Sequence, residues 1–280
     1  MLPNIDLHIH TIYSDGTCTP EEAVCRAEKL NLVAISITDH DSVAGLEEAI
    51  ATGEKVGIEV IPGIEMSTDI GEDEIHLLAY YLDYKDKSFL SRIKEFQSTR
   101  VKRNGELLKR LEELGMSINH RELKEIAPRG VISRLHIARL MVRKGYVSSI
   151  RDAFEEWLNP GKPAHVKRMK VSPSQIIQLI LKAGGVPVFA HPYLSGRDDL
   201  IPELVKAGLR GIEVYHSAHN SKTRERYKEI AQKYHLLITG GSDCHGEAKD
   251  KTLMGKVKVP ASLLKNLKAA AKKKNILSLR

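Results

Sequence analysis

Residues 6–17 read "DLHIHTIYSDGT", with two histidines, His8 and His10, and an acid, Asp15, in quick succession. The histidines close an alternating apolar run, "NIDLHIH", which reads as a strand. Side chains two apart on a strand share a face, so the two imidazoles leave the strand end as a pincer. A short histidine pair is a weak motif that also occurs with no ligand role. The rest of the chain decides its meaning.

Six more β-rich runs follow: "LVAISITDHD", "IEVIPGIEMS", "EIHLLAYYL", "GVPVFAHP", "GIEVYHS" and "LLITGGSDCH". Helical segments such as "TPEEAVCRAEKL" and "SPSQIIQLILKAG" stand between most of them. Seven strands alternating with helices imply an α/β fold, a parallel sheet with helices outside it, either open or closed into a barrel. Nearly every run ends in a histidine or an acid: His40, Glu65, His191, His216, and Asp243 with His245, while His76 opens the fourth run. Active sites of parallel α/β folds collect at the carboxyl ends of strands, and a barrel brings those ends to one mouth. The pincer is then one corner of a cluster. Imidazoles with a few carboxylates suit zinc, manganese or iron, and one bridging carboxylate holds two ions close together. Such sites acidify water and clamp both oxygens of a phosphoryl displacement. Glycine-rich phosphate loops, GxSxG elbows and HExxH helices are missing, which leaves metal-assisted hydrolysis as the leading reaction class.

Composition sets the frame. The chain has 280 residues, 42% of them hydrophobic, and a chain of this size buries roughly 75% of its unfolded surface, enough for one large domain with or without an insert. No basic segment leading into an apolar stretch opens the sequence, and no apolar run approaches the roughly 20 residues that span a bilayer. A soluble, cytoplasmic protein without membrane contact is expected. Cys18, Cys25 and Cys244 have neither CxxC nor zinc-finger spacing, so they are expected to be reduced thiols.

HxH with Asp15 five residues on, "TDHD", "PGIEMS", "EIHLLAY", "AHP" and "GSDCH", in that order, resemble the PHP (polymerase and histidinol phosphatase) superfamily across essentially the whole chain. The resemblance implies a distorted seven-stranded, TIM-like β/α barrel and a trinuclear site, expected to carry two to three divalent ions (Mn, Zn or Fe). By that likeness His8, His10, Glu65 and Asp243 hold one ion; Glu65, His76 and His191 a second; Asp15, His40 and His245 a third. Glu65, Asp15, His191 and His245 are the catalytic candidates within this set. Amidohydrolases also begin with HxH but normally bridge their ions with a lysine; here that place falls to Glu65.

About a hundred residues separate the fourth and fifth strands, too many for an ordinary crossover. Residues 98–165 are read as a small all-helical insert capping the barrel mouth, with residues 1–97 and 166–280 forming the barrel. "DKSFLSRIKEFQSTRVKRNGELLKRLEELG" reads as one long helix ending at Gly115, and "SRLHIARLMVRKG" and "SIRDAFEEWLN" as shorter ones. The insert carries fourteen Lys and Arg against eight Asp and Glu, a net +6 of the chain's +7. A solvated helical face explains part of that excess, and over a metal site the same charge attracts phosphates. Arg134 and His136 resemble a Gly-Arg-Pro-His pattern of PHP members that act on nucleotide and RNA ends, with Ser133 and Leu135 in place of Gly and Pro. With Arg100, Arg103 and His219 they are the candidates for substrate binding. Phe154 and Trp157 read as insert core, and His120, His165 and His235 as structural.

The expected activity is phosphoester hydrolysis on a nucleotide or short RNA: a 3′,5′-nucleoside bisphosphate losing its 3′-phosphate, or an oligonucleotide trimmed from its 5′ end. Histidinol phosphate is the alternative substrate, and a non-catalytic scaffold, whose signature is missing ligands, the alternative class. If the insert's charge steers a polyanion, kcat/KM should fall with added salt more steeply for an oligonucleotide than for a small monophosphate. Equal slopes would reduce the charge to a solubility device.

Overall fold

The computed structural model describes residues 3–71, 73–167, 171–248 and 253–277. Eight strands form one sheet: β1 (Asn4–Ile9), β2 (Leu32–Ile37), β3 (Glu59–Ile70), β4 (Asp73–Tyr80), β5 (Val186–Phe189), β6 (Gly211–Tyr215), β7 (Leu237–Gly240) and β8 (Val259–Pro260). Their order is β7-β6-β5-β4-β3-β2-β1-β8. The seven runs read from sequence are all strands, and the sheet rolls into a nearly closed barrel. Two features correct the expected parallel sheet. β4 is antiparallel to both β3 and β5, and the two-residue β8, not anticipated, is antiparallel to β1. The cause of the first is chain length: β3 ends at Ile70 and β4 begins at Asp73, with Gly71 at φ +62°, whereas a parallel connection needs a dozen residues or more. The reversal matters for function. It sends the start of β4, and therefore His76, to the same end of the barrel as the carboxyl ends of the parallel strands.

Helices cover the outside. α1 (Pro20–Lys29) starts at a capping box in which Thr19 and Glu22 satisfy each other's backbone N–H groups, with Pro20 at the first turn. Its Ala23, Val24 and Ala27 pack with α2 (Leu46–Val56) on Ile9, Ile35 and Ile37. The helix Pro173–Lys182 buries Ile176, Ile177 and Ile180 against β3, β4 and β5. A separate inner cluster draws Ile5, Leu7, Ala34, Ile61, Leu78, Tyr80 and Val188 from β1 through β5 and is closed by Leu264 and Leu267 of the C-terminal helix. Apolar packing thus fills one end of the barrel, which leaves the other for polar chemistry.

The barrel closes where the chain beyond β7 meets β1. The His10 N–H donates to the Cys244 carbonyl at 2.9 Å, pairing Ile9 with Cys244. Gly241 makes this approach feasible, because a Cβ there would stand 2.3 Å from Cβ of His8 and 2.4 Å from its backbone nitrogen.

After β4, α3 (Lys87–Glu113) starts at Asp86, whose carboxylate accepts from the Phe89 N–H at 2.7 Å, and runs 27 residues without a break. Phe89 and Ile93 belong to the barrel core, while Leu107, Leu108 and Leu111 belong to a second cluster with Ile137, Met141 and Leu158. Position 98 therefore lies in mid-helix. α4 (His120–Ile126) was not marked in the sequence, and α5 (Arg134–Arg143) covers "RLHIARLMVR". Ala153–Leu158 is a π-helical turn, with Phe154 and Trp157 packed partly against the second cluster.

Replacing Gly241 by alanine should destabilise the fold by roughly 1–3 kcal/mol, several degrees in Tm, since the new methyl meets backbone rather than a movable side-chain tip. An unchanged melting curve would show that the seam has room to spare.

Candidate metal centre

The polar end of the barrel gathers the expected ligands from six chain segments. His8 and His10 leave the end of β1 with Asp15 on the loop that follows, His40 follows β2 and pairs as a bridge with Glu65 in β3, His76 sits in β4, His191 follows β5, and Asp243 and His245 follow β7. Asp41, His191 and Asp243 hold positive φ angles of 49°, 25° and 55°. For residues with a Cβ this is strained backbone, which persists where the surroundings fix it and clusters at functional sites.

Glu65 is the centre. Its Oε1 lies 2.9 Å from His76 Nδ1 and 2.8 Å from His191 Nε2. Its Oε2 lies 3.3 Å from His8 Nε2, 3.2 Å from His10 Nε2 and 3.2 Å from His40 Nδ1. Asp243 Oδ1 is 3.1 Å from His10 Nε2 and 3.5 Å from His8 Nε2. On the other side of His10, Asp15 Oδ1 is 3.3 Å from His245 Nε2, and Oδ2 is 3.9 Å from His40 Nε2. All nine expected ligands are therefore in one cluster. Three donor groups overlap within it: His8, His10, Glu65 and Asp243; His40, Glu65 and His76; and His10, Asp15, His40 and His245.

The donors fit cations better than they fit each other. Nε2 of His8 and His10, Nδ1 of His40, Oε2 of Glu65 and Oδ1 of Asp15 are buried without a hydrogen bond. Buried polar atoms rarely stay unsatisfied without a functional reason. Charge points the same way. Burial alone would raise the Glu65 carboxyl, yet His40, His76 and His8 hold it well below the usual carboxylate range. Burial alone would lower His10 and His76, yet the carboxylates push them up to about 9 and about 10. His40 and His191 go the other way, lowered by burial, His40 to about 3, so the shifts split the cluster; protons favoured on His10 and His76 are of the kind that divalent ions displace on binding. The imidazole and carboxylate donor set lacks sulfur and suits zinc, manganese or iron.

A ring of outer partners orients these ligands, and sequence reading did not single it out. Glu213, inside β6, accepts from His8 at Nδ1 (3.0 Å) and from the His191 N–H (2.8 Å), which leaves Nε2 of His8 turned to the cluster. Asp39 accepts from the Thr11 N–H, the Thr11 hydroxyl and the Ser14 hydroxyl, fixing the loop that carries Asp15. Asp6 accepts from the Ser242 N–H at 2.8 Å, beside Asp243, and burial pushes its carboxyl up to about 6. The only sequence signal was their place beside ligands or on the strand face that carries them. His216 lies 3.6 Å from Asp243 by Nε2 and forms a further donor group with His8 and Glu213.

Exposure shows which side is open. His8 and His10 side chains are fully buried, while those of His40, His76 and His191 keep 12%, 18% and 12% exposure. A cleft of about 420 Å³ reaches the cluster there, walled by Asp15, His40, His76 and His245 on one side and Arg100, Arg134 and Phe154 on the other. Arg134 pairs with Glu74, which also approaches His76 at 3.3 Å, and stacks over Phe154. Arg100 pairs with Asp41 and donates to Ser67 at 2.8 Å. Arg103 stands farther along α3, its Nε donating to the Val166 carbonyl. His136 is buried and accepts the Ser133 N–H at 3.1 Å, completing a helix cap, and burial lowers it to about 4. His219 is buried beyond His216, its Nδ1 donating to the Val214 carbonyl. The cleft walls thus bring together Arg100 and Arg134 but not Arg103, His136 or His219. Phe154, expected in the helical core, also forms cleft wall.

A barrel whose strand ends converge on buried imidazoles and carboxylates defines a metal-dependent hydrolase. The chain belongs to the PHP family: the PHP domain model matches residues 6–163. It is 32% identical over 250 residues to the 3′,5′-nucleoside bisphosphate phosphatase of Chromobacterium violaceum, covering 87% of this chain and 88% of that one. A 5′-3′ exoribonuclease of Haemophilus influenzae is also 32% identical over 250 residues, covering 88% and 91%. The crystal structure of a Bifidobacterium adolescentis protein, whose proposed activity is that of a metal-dependent phosphoesterase, superposes with a TM-score of 0.88 at 30% identity, covering 96% of each chain. The protein is accordingly a PHP metal-dependent phosphoesterase, and among its described residues no helix is long and apolar enough to cross a membrane.

Glu65→Gln keeps the shape of the central side chain and removes its charge. Purified variant protein should hold less metal than wild type by elemental analysis and lose most phosphoesterase activity, and chelator should silence the wild type. Full activity in the variant or in metal-stripped protein would contradict the central role of Glu65.

Proposed function

We propose that the protein hydrolyses phosphate esters of nucleotides, as a 3′,5′-nucleoside bisphosphate 3′-phosphatase, a 5′-3′ exonuclease on RNA or short oligonucleotides, or both. The observation that carries this reading is the composition of the cleft: ligands of the cluster form one wall, and two arginines with an aromatic ring form the other. That is a phosphate-reacting floor beneath groups suited to a second phosphate and a base. The two relatives at 32% identity, named for a nucleoside bisphosphate and for RNA, support the same class.

His8, His10, Glu65 and Asp243 would hold one ion, Glu65, His76 and His191 a second, and Asp15, His40 and His245 a third, giving two to three ions of manganese, zinc or iron. Such ions supply Lewis acidity toward the phosphoryl oxygens and acidify water. The chain's own groups do the rest. Glu65 keeps neighbouring donor sets in register by belonging to more than one. Glu213 holds His8 and the His191 backbone in place. Asp15 and His245 line the cleft 3.3 Å apart and can exchange a proton at His245 Nε2 with the leaving oxygen when only the two inner donor sets are filled. Arg134 would turn its planar fork to the phosphate that is not cleaved, and Arg100, buried against Asp41 and Ser67, would add positive charge behind it. Binding at Arg134 requires an incoming phosphate to replace or share Glu74, so an anion with two charges is favoured over one with a single charge.

A phosphate-release panel over a nucleoside 3′,5′-bisphosphate, 5′-phosphorylated oligoribonucleotides, histidinol phosphate and a chromogenic monoester tests the reading directly. A clear preference for histidinol phosphate would overturn it. Arg134→Ala should cut kcat/KM for the bisphosphate roughly 10- to 150-fold, the loss of one charge-assisted hydrogen bond worth about 1.5–3 kcal/mol. The chromogenic ester should be nearly unaffected, and Arg134→Lys should rescue only in part because the fork is lost. An equal loss on both substrates would move Arg134 to the reacting phosphate.

A further inference from the structure

Three cavities follow one another from the metal cluster onto the helical segment, and neighbours share walls. The cleft at the cluster and a smaller cavity of about 240 Å³ both use Glu74 and Arg134. That smaller cavity and an open groove of about 860 Å³ both use His165 and Lys167. Along this line α3 contributes Arg103 to the middle cavity and Lys109 and Arg110 to the outer groove, while Lys162 and Lys167 stand on the facing loop. The loop is tied to α3: Arg110 Nη1 donates to the His165 carbonyl at 3.3 Å and Arg103 Nε to the Val166 carbonyl at 3.0 Å. The cationic walls are therefore held at a set spacing.

Acids are fewer than cations in the outer groove and equal to them in the middle cavity. Among the described residues lining the outer groove, Lys109, Arg110, Lys162 and Lys167 stand with Glu106 and Glu113, a formal net +2, and Lys167 has a further partner of its own. The middle cavity is balanced by count, with Asp69, Asp73 and Glu74 against Arg103, Arg134 and Lys167; Asp73 pairs with Arg197, outside the lining, at 2.6 Å, Glu74 pairs with Arg134, and Asp69, Arg103 and Lys167 are engaged as well. A mononucleotide would fill the first cleft alone, since about 420 Å³ is already the size of an ordinary small-molecule site. The outer two cavities continue that cleft through shared walls, an arrangement that suits a polymer with a charge at every unit.

We propose that the three cavities form one track for single-stranded RNA, with the strand beyond the scissile phosphate held by its backbone on Arg103, Lys109, Arg110, Lys162 and Lys167. This rests on the nucleotide reading above and narrows it to strand ends. Recognition is by phosphate spacing and charge, so it is indifferent to sequence and sensitive to salt.

The test uses the full-length, metal-loaded protein and the double variant Lys109→Glu/Lys162→Glu, both exposed positions outside the metal cluster. Wild-type kcat/KM on 5′-phosphorylated oligoribonucleotides should rise from 2 to 12 nucleotides, probe lengths chosen as roughly one and several phosphates beyond the cleft. The variant should lose that rise, roughly tenfold on the longest strand, with a salt slope smaller by about two and with adenosine 3′,5′-bisphosphate hydrolysed as before. Fluorescence anisotropy of a labelled 12-nucleotide RNA reads the track without turnover, and weaker binding by the variant supports it. Equal RNA binding by both proteins, or an equal loss on bisphosphate and RNA, overturns the track. Length-dependent binding by a protein that hydrolyses no nucleotide would keep the track and overturn the proposed function instead.

Discussion

An almost fully buried carboxylate stands at the middle of this molecule, and the rest of the structure is arranged to make it tolerable. Glu65 is 1% exposed, and an isolated buried charge of that kind would be neutralised or would unfold the site. Five imidazoles approach it, from β1, β4 and the turns after β2 and β5. To deliver them the sheet must roll until β7 meets β1, and β4 must run backwards. Closure of the barrel and assembly of the ligand set are therefore one requirement. The apolar plug at the opposite end, built from β1 through β5 and the C-terminal helix, supplies the packing that holds so polar an end together.

Much of this was legible in residues 6–17 and their counterparts. Strand-end ligands are easy to read because period-two alternation stops where chemistry begins, and all seven runs and the long helix after β4 came from local pattern alone. The direction of β4 was also written in the sequence, as the shortness of the link between Ile70 and Asp73, but a rule of alternation hides it. Glu213 escaped because an acid inside "GIEVY" looks like the solvated half of an amphipathic strand; only closure of the barrel puts it against His8. Asp6, inside β1, escaped for the same reason, and Asp39 because its partners Thr11 and Ser14 lie on another loop. The pairing of Arg134 with Glu74 joins residues sixty positions apart, which no local periodicity can announce.

The helical segment shows the opposite balance. Its charge excess was readable as a number, but not its placement: the cations turned toward the cleft are few, and two of them, Arg100 and Arg134, are already matched by Asp41 and Glu74. What the segment brings to the cluster is a wall with both aromatic and guanidinium faces. Under the proposed function, arginines paired in this way would discriminate, since an incoming group must displace a carboxylate already in place.

Because α3 is unbroken from Phe89 and Ile93 in the barrel core to Leu111 in the second cluster, the barrel and the helical segment share one rigid axle. A single residue inserted midway along it would turn everything beyond by about 100° and advance it by about 1.5 Å. Relatives that vary this segment's length are thus constrained to do so in its loops or in whole helical turns, and a segment exchanged between barrels would keep its aim only if the helical phase were kept too.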